Sequence, residues 1–285
     1  MADHVTVFEV GARDGLQNEK LLIPTARKVA LIDKLSECGF SKIEATAFVS
    51  PKWVPQMADA AEVMAGISRK TNVSYAVLTP NMKGYERSKE ANANEVAVFG
   101  AASEGFSKAN VNATIAETIE RFLPITEAAK MDEIPVRGYI SCVTDCPYDG
   151  PTPPENVAWM AEQLYKAGCY EISLGDTIGQ GTPETIAAML DAVTNVVPVA
   201  NLAGHYHDTS GRALMNIEVS LEKNVRTFDS SVGGLGGCPY APGAAGNVAT
   251  GAVVEMVEAK GFVTGIDKGL LEEATEFALG LRSAA

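Results

Sequence analysis

Eight short runs of apolar and β-branched residues recur along the chain, and segments with helical patterning lie between them. The predicted strands are residues 5–10, 42–47, 73–78, 95–99, 135–141, 169–174, 199–205 and 227–231. The predicted helices include residues 25–38, 114–131, 154–167, 183–195 and 211–223. Strands that alternate with helices build parallel sheets, and eight such units predict a (β/α)8 TIM barrel. An open doubly wound sheet is the alternative, although no GxGxxG motif follows the first strand.

The length and composition fit one large domain. The chain has 285 residues, of which 46% are hydrophobic, and this suffices for a single core of barrel size. We therefore predict one catalytic domain over residues 1–285. The tail after Gly261 is predicted to add one or two helices, and the glycine-rich stretch at about 233–247 is predicted to form a flexible loop.

The formal net charge of the chain is -13, and the sequence contains no basic run. An acidic surface repels phosphate backbones, so we expect no nucleic-acid partner. No apolar run reaches the length of a membrane span, so we expect no membrane partner. The cysteines follow no disulfide or zinc pattern and the opening segment has no targeting signal, which together predict a cytoplasmic protein.

Two of the three histidines, His205 and His207, stand two positions apart at the end of the predicted seventh strand. In an extended strand residues i and i+2 face the same side, so both imidazoles project side by side. Residues 209–211 are typical of a turn into a helix, which places the pair at a carboxyl strand end, where barrel enzymes build their sites. The pair predicts a divalent-metal site, with a structural or surface role as the alternative.

Polar side chains at other positions extend this prediction. Asp14 follows the first strand and, with the two histidines, forms a ligand set that suits Mg²⁺ or Mn²⁺. The amide oxygen of Asn247 could complete the protein ligands, while substrate oxygens fill the open positions. Arg13 is expected to point away from Asp14 and to stabilise oxyanion charge, with a surface ion pair between the two as the alternative.

Three further residues are candidates for catalysis. Cys238 lies in a stretch with six glycines between positions 233 and 246, and long mobile loops usually have functional roles. Its thiol is a candidate acid or base, and an incidental cysteine is the alternative. Glu44 in the second strand and Asp176 after the sixth are predicted to orient Arg13, a metal ligand or a bound hydroxyl. The alternative for both is a buried ion pair in the barrel mouth.

Long blocks of the chain resemble the hydroxymethylglutaryl-CoA lyase family, which consists of metal-dependent TIM-barrel enzymes. The blocks that carry the resemblance are residues 9–20, 48–57, 99–104 and 173–179 and the glycine-rich loop through Cys238. The resemblance covers nearly the whole chain. It implies that the substrate is a CoA thioester, 3-hydroxy-3-methylglutaryl-CoA, which is cleaved to acetyl-CoA and acetoacetate, and it implies a homodimer.

The resemblance also implies roles for individual residues. The positions that match the metal ligands are Asp14, His205, His207 and Asn247. Arg13 matches a residue that contacts the substrate and stabilises enolate oxygen, and Cys238 matches the catalytic thiol on a loop that closes over the substrate. Glu44 and Asp176 match polar positions of the active site.

The sequence departs from the family pattern at Gly251, where family members commonly carry an acidic residue. Three alternatives to the implied activity stay open. One is a lyase for a longer-chain 3-hydroxy-3-substituted glutaryl-CoA, and another is a condensing acyltransferase of the same superfamily. The third is a catalytically silent module that binds metal or CoA, against which the complete ligand set and Cys238 argue.

Overall fold

The computed structural model describes residues 3–236 and 246–282, and in this part of the chain eight parallel strands close into a barrel. The strands are β1 (Thr6–Glu9), β2 (Lys42–Ala47), β3 (Ser74–Leu78), β4 (Glu95–Ala101), β5 (Val136–Ser141), β6 (Glu171–Asp176), β7 (Leu202–Tyr206) and β8 (Thr227–Ser230). Each strand pairs with the next along the chain, and β8 closes the ring on β1, with Thr227 opposite Thr6. The predicted barrel is confirmed, and the open doubly wound sheet is wrong.

Helices connect the strands around the barrel. The α-helices of the described residues are α1 (Thr25–Glu37), α2 (Ala60–Gly66), α3 (Met82–Glu90), α4 (Glu104–Val111), α5 (Ile115–Met131), α6 (Pro154–Lys166), α7 (Pro183–Thr194), α8 (Ala213–Glu222), α9 (Thr250–Ala259) and α10 (Lys268–Gly280). Shorter helical turns cover Gly11–Gly15, Pro55–Met57, Val199–Asn201 and Val232–Gly234. Capping boxes at Thr114 and Thr182 satisfy backbone N–H groups at the starts of α5 and α7.

The predicted strand bounds are wrong at two places near the site. Val199–Asn201 forms a short 3-10 turn after Pro198, so the seventh strand begins at Leu202 and ends at Tyr206. The β-branched residue in that turn suggested a strand, but this preference is weak against local turn formation. The sixth strand continues two residues beyond its predicted end, so Asp176 is its last residue rather than part of the following loop.

The tail after Gly261 packs against the core of the barrel. Leu271, Ala274 and Ala278 are buried on one side of α10, and this helix contacts α1. Asp267 begins the helix by accepting hydrogen bonds from two backbone N–H groups of its first turn. The tail therefore contributes one of the helices predicted for it.

Among the described helices, none has the length and apolar character that a bilayer crossing needs.

Candidate metal centre and active site

The segment that follows β1 carries two of the predicted site residues. Gly11–Gly15 forms a single π-helical turn, in which the backbone N–H groups of three successive residues donate to Val10 O. Glycine is needed at the first position because a Cβ there would lie 2.6 Å from Glu9 Oε1. Since β1 ends immediately before it, the turn holds Arg13 and Asp14 at the carboxyl mouth of the barrel.

Asp14, His205 and His207 come together at this mouth. His205 lies in β7 and His207 directly follows that strand, and the centroids of the two rings are 5.5 Å apart. One ligand atom from each of the three side chains lies within 4.8 Å of the other two. Ligands of one octahedral ion lie about 3 to 4.5 Å apart, so this spacing suits a single divalent cation. The structure therefore brings together three of the predicted ligands.

Asn247 lies beside this group. Its backbone forms a β-bridge with that of His207, and its Nδ2 donates to Asp14 Oδ2 at 2.7 Å and to Leu235 O at 3.3 Å. The side chain is nearly fully buried. The amide nitrogen faces Asp14 in this arrangement, and the neighbouring Oδ1 is the atom that a cation can use.

The ionisation states at this site suit a cation. Burial would raise the pKa of Asp14, but Arg13 and the two histidines lower it to about 2, so the carboxylate is ionised. Burial and the neighbouring His205 lower the pKa of His207 to about 4, so its imidazole is neutral at neutral pH. His207 Nδ1 is also buried without a hydrogen-bond partner among the described residues. Ionised carboxylates and neutral imidazoles are the forms that bind metals, so these residues fit a divalent metal ion.

Arg13 contacts both Asp14 and Glu44. Its Nη1 donates to Asp14 Oδ1 at 2.6 Å, and its Nε donates to Glu44 Oε2 at 2.7 Å. The prediction that Arg13 points away from Asp14 is wrong, because the alternation of side chains applies to strands and not to this turn. The alternative is right that the two residues form an ion pair, but wrong that the pair lies at the surface, since Arg13 is only 6% exposed.

Glu44 forms a buried ion pair with Arg13, an arrangement that fits both its predicted role of orienting Arg13 and the alternative of a buried ion pair in the barrel mouth. Its side chain is fully buried, and both Nε and Nη2 of Arg13 lie within 2.7 Å of Glu44 Oε2. Burial acts to lower the pKa of Arg13, but Glu44 and Asp14 raise it above its ordinary value. The guanidinium is therefore a fixed positive charge beside the predicted metal ligands.

Asp176 is not one of the residues that converge on the cation position. It accepts from the Thr144 hydroxyl at 3.1 Å and from the backbone N–H groups of Gln180 and Gly181 at 3.2 and 2.9 Å. These contacts shape the loop that follows β6. Cys238, the predicted catalytic thiol, lies outside the described residues.

Two buried charges that the sequence analysis did not single out lie beneath the candidate metal site. Asp229 on β8 has Oδ2 3.0 Å from His205 Nδ1, and it accepts two hydrogen bonds from Arg137 on β5. Burial would raise the pKa of Asp229, but Arg137 and His205 hold it well below its usual range. Burial would lower the pKa of His205, but Asp229 raises it. The available signal was a single charged residue within each of two predicted strands, Arg137 in 135–141 and Asp229 in 227–231.

A cavity of about 270 Å³ opens beside the predicted ligands. Arg13, Asp14 and both histidines form one part of its lining. Tyr139 also lines it, and the buried Tyr139 hydroxyl has no hydrogen-bond partner among the described residues. The apolar side chains of the lining are Val49, Leu78, Phe99, Phe106 and Ile140. A cavity with charged groups on one part and apolar groups on another suits an amphipathic small molecule.

The HMGL-like family model matches residues 4–277. A 3-hydroxy-3-isohexenylglutaryl-CoA/hydroxy-methylglutaryl-CoA lyase from Pseudomonas aeruginosa is 54% identical over 270 residues, which cover 95% of this chain and 90% of the relative. The crystal structure of HMG-CoA lyase from Brucella melitensis matches with a TM-score of 0.98 and 63% identity, over 99% of this chain and 100% of that chain.

A further solved structure is similar over the same length. It is an HMG-CoA lyase from Acinetobacter baumannii in complex with coenzyme A and 3-methylmalate, with a TM-score of 0.93 and 38% identity, and the match covers 99% of this chain and 92% of that chain. The part of the chain matched by the family model includes Asp14, Asn247 and Cys238. The resemblance carried by the sequence blocks is confirmed, and the chain belongs to the HMGL-like family.

Proposed function

We propose that this protein is a divalent-metal-dependent lyase that cleaves 3-hydroxy-3-methylglutaryl-CoA to acetyl-CoA and acetoacetate. The observation that carries the proposal is the convergence of Asp14, His205 and His207 beside the charged side chain of Arg13. The three side chains meet at the mouth of the barrel. The relatives that match almost the full length of this chain are named HMG-CoA lyases. The buried guanidinium of Arg13 beside these candidate ligands also argues against a module that binds metal or CoA without catalysis.

The reaction breaks the carbon–carbon bond between the carbinol carbon and the methylene group next to the thioester. Asp14, His205, His207 and Asn247 would hold Mg²⁺ or Mn²⁺, which would supply Lewis acidity and so lower the pKa of the substrate's tertiary hydroxyl. As the hydroxyl proton leaves, the carbinol carbon becomes the ketone of acetoacetate, and the bonding electron pair passes to the enolate of acetyl-CoA. A proton then returns to the enolate carbon, so the reaction is redox-neutral.

Arg13 is the residue that we assign to the enolate oxygen. A guanidinium has five N–H groups, and the contacts with Asp14 and Glu44 use three of Arg13's. Two N–H groups therefore stay available in a side chain that lines the cavity. Glu44 holds the charge in place before the reaction begins, so little reorganisation is needed as negative charge develops. Asp176 acts more remotely in this proposal, by holding the loop after β6.

Cys238 is our candidate for one or both proton transfers. What supports the assignment is the family resemblance together with the described residues that flank the loop. Gly236 lines the cavity, and Asn247 donates to Asp14. These two described residues, one before and one after Cys238 in the chain, therefore lie beside the predicted ligands. A thiol there is suited to transfer protons, because its pKa responds to nearby charge.

A longer-chain 3-hydroxy-3-substituted glutaryl-CoA is a second candidate substrate. The observation that favours it is the apolar part of the cavity, which includes Leu78, Phe99 and Phe106. A relative at 54% identity is named for both an isohexenyl substrate and the methyl substrate. Apolar walls gain about 1–3 kcal/mol for each methylene group that they contact but do not exclude a shorter chain, so a site that fits the longer acyl chain can also accept the methyl substrate with a lower kcat/KM.

We also propose a homodimer and a cytoplasmic location. The location is supported by the described cysteines Cys38, Cys142, Cys146 and Cys169, which are all unpaired. Unpaired cysteines are usual in a reducing compartment. The homodimer rests on the family resemblance, and light scattering coupled to size-exclusion chromatography tests it by measuring the mass of the particle in solution.

The first test measures acetoacetate release from 3-hydroxy-3-methylglutaryl-CoA by the purified protein. We expect turnover with Mg²⁺ or Mn²⁺, loss of turnover with a chelator, and recovery when either metal is restored. Absence of turnover in a folded, metal-loaded protein would refute the assignment to this substrate. The same assay with a longer acyl chain then measures the ratio of kcat/KM for the two candidates.

Replacement of Cys238 tests its assigned role. Cys238→Ala is expected to lower kcat by about 100-fold or more, because proton transfer by a positioned group contributes about that much. Its affinity for Mn²⁺ is expected to stay the same. Cys38→Ala is the matched control, since Cys38 is a buried thiol at the end of α1 and does not line the cavity. Equal turnover in Cys238→Ala and wild type would remove Cys238 from the mechanism.

A further inference from the structure

The Asp229 carboxylate is surrounded by hydrogen-bond donors from other strands of the barrel. Its Oδ1 accepts from Arg137 Nη2 at 2.7 Å, and its Oδ2 accepts from Arg137 Nη1 at 3.0 Å. Oδ2 also accepts from the Ser173 hydroxyl at 2.7 Å and lies 3.0 Å from His205 Nδ1. These residues lie on β5, β6, β7 and β8, so one carboxylate joins four successive strands beneath the metal position.

The Arg137 side chain is held in a single orientation. Its Nε donates to Glu171 Oε1 at 2.7 Å, and the guanidinium lies 4.2 Å from the centroid of the Phe8 ring and 4.9 Å from that of Tyr139. The whole side chain is buried. The bidentate contact of Arg137 with Asp229 therefore fixes the plane of the carboxylate. The orientation of this plane sets the direction from which Oδ2 approaches His205.

This arrangement selects one tautomer of His205. A carboxylate that is bound to a guanidinium acts only as an acceptor, so the contact with Asp229 requires a proton on His205 Nδ1. A neutral imidazole has one N–H group, and its Nε2 then presents a lone pair. We propose that Asp229 is a positioning residue, which fixes His205 as the Nδ1–H tautomer and directs Nε2 toward the metal.

The two histidines differ in this respect. His205 Nδ1 faces Asp229, whereas His207 Nδ1 has no hydrogen-bond partner among the described residues. His205 is therefore oriented by the protein before any metal binds. Outer partners of metal ligands contribute about 10-fold to 100-fold to metal affinity. The inference rests on the proposed metal-dependent function and adds to it the group that prepares one ligand.

The test compares Mn²⁺ affinities by titration calorimetry. Asp229→Asn replaces one carboxylate oxygen with an NH₂ group, which cannot accept from Arg137 and His205 as the carboxylate does. We expect its Mn²⁺ affinity to fall by about 10-fold to 100-fold. Glu95→Gln is the matched control, because Glu95 is also a buried barrel carboxylate but contacts Lys42 and Tyr170 instead of the site. Its Mn²⁺ affinity is expected to match that of wild type.

The outcomes separate this inference from the proposed function. A wild-type protein that binds no Mn²⁺ would overturn the metal-dependent function itself. If wild type binds Mn²⁺ and folded Asp229→Asn binds it equally well, only the positioning role is overturned. A loss in Asp229→Asn together with an unchanged Glu95→Gln supports the role.

A second measurement needs no variant and applies even if Asp229→Asn fails to fold. Nitrogen NMR of the metal-free wild-type protein, labelled at histidine, reports which ring nitrogen carries the proton. The chain has only three histidines, so the signals can be assigned. Because Asp229 raises the pKa of His205, the spectra are recorded at a pH high enough for this imidazole to be neutral, and there we expect a protonated Nδ1 and an unprotonated Nε2. The opposite tautomer would overturn the proposal.

Discussion

The buried carboxyl group of Glu9 gives the folded protein a stability that depends on pH. Glu9 ends β1 directly before the turn that carries Arg13 and Asp14. Its Oε1 accepts from the backbone N–H groups of Gly11 and Val232 at 2.8 and 2.9 Å, and its Oε2 lies 2.6 Å from the Thr250 hydroxyl oxygen. Burial raises the pKa of Glu9 to about 7, and these hydrogen bonds oppose the shift only in part.

The sign of the effect follows from proton binding in the two states. In the unfolded chain Glu9 has its ordinary pKa of 4.5. Between pH 4.5 and about 7 the folded state keeps a proton that the unfolded state has released, so stability falls as pH rises through this window. At 1.36 kcal/mol per pKa unit, the shift amounts to about 3 kcal/mol. Glu9→Gln is neutral at every pH and avoids this loss.

We therefore expect Glu9→Gln to be more stable than wild type by about 1 kcal/mol at pH 5 and by about 3 kcal/mol at pH 8. Urea unfolding followed by circular dichroism measures both free energies, with a chelator present so that metal binding contributes to neither. If the difference between the two proteins stays constant from pH 5 to 8, Glu9 is ionised in the folded protein. That result would refute the reasoning, because it would mean that the three hydrogen bonds fully offset the burial.

Two further predictions concern the site and the backbone. Glu44→Gln is expected to lower kcat/KM by about 10-fold to 100-fold, because Arg13 loses its buried charge partner, while Mn²⁺ affinity changes little. A parallel loss of Mn²⁺ affinity would contradict this and place Glu44 among the supports of the metal. Gly39→Ala is expected to destabilise the protein by more than Gly168→Ala in urea titrations. Both glycines have positive φ, +97° and +103°, but only at Gly39 would a Cβ meet another atom, 2.4 Å away. Equal losses in both variants would show that backbone strain alone sets the cost.

The barrel and the meeting of Asp14 with His205 and His207 could be predicted from the sequence. Parallel strands in a barrel deliver their carboxyl ends to one mouth, so polar residues at strand ends become neighbours whatever their separation along the chain. The direction of the Arg13 side chain could not be predicted in this way. It depends on a π-helical turn, for which no simple periodicity exists in the sequence.

The residues beneath the site were missed for a different reason. Asp229 and Arg137 are 92 positions apart, and only closure of the barrel shows that they face each other inside it. A charged residue within a strand pattern is otherwise typical of a solvent-facing position. Asp176 presents the reverse case, because its position at a strand end suggested the mouth. Its carboxylate instead accepts from the loop that follows it, a choice that depends on the local path of that loop.

Many of the apolar side chains that line the cavity and the candidate metal ligands come from different parts of the chain, and mutations in these parts have different consequences. Leu78 ends β3, Phe99 lies in β4, and Phe106 and Asn110 lie in α4, so residues 78–110 carry three of the five apolar side chains that line the cavity. The predicted ligands and the charges that hold them lie elsewhere, after β1 and on β2, β5, β7 and β8. Mutations in the first part can reshape the space for the acyl group without moving a ligand. A lineage with this layout can acquire new substrates while it keeps the same bond-breaking step.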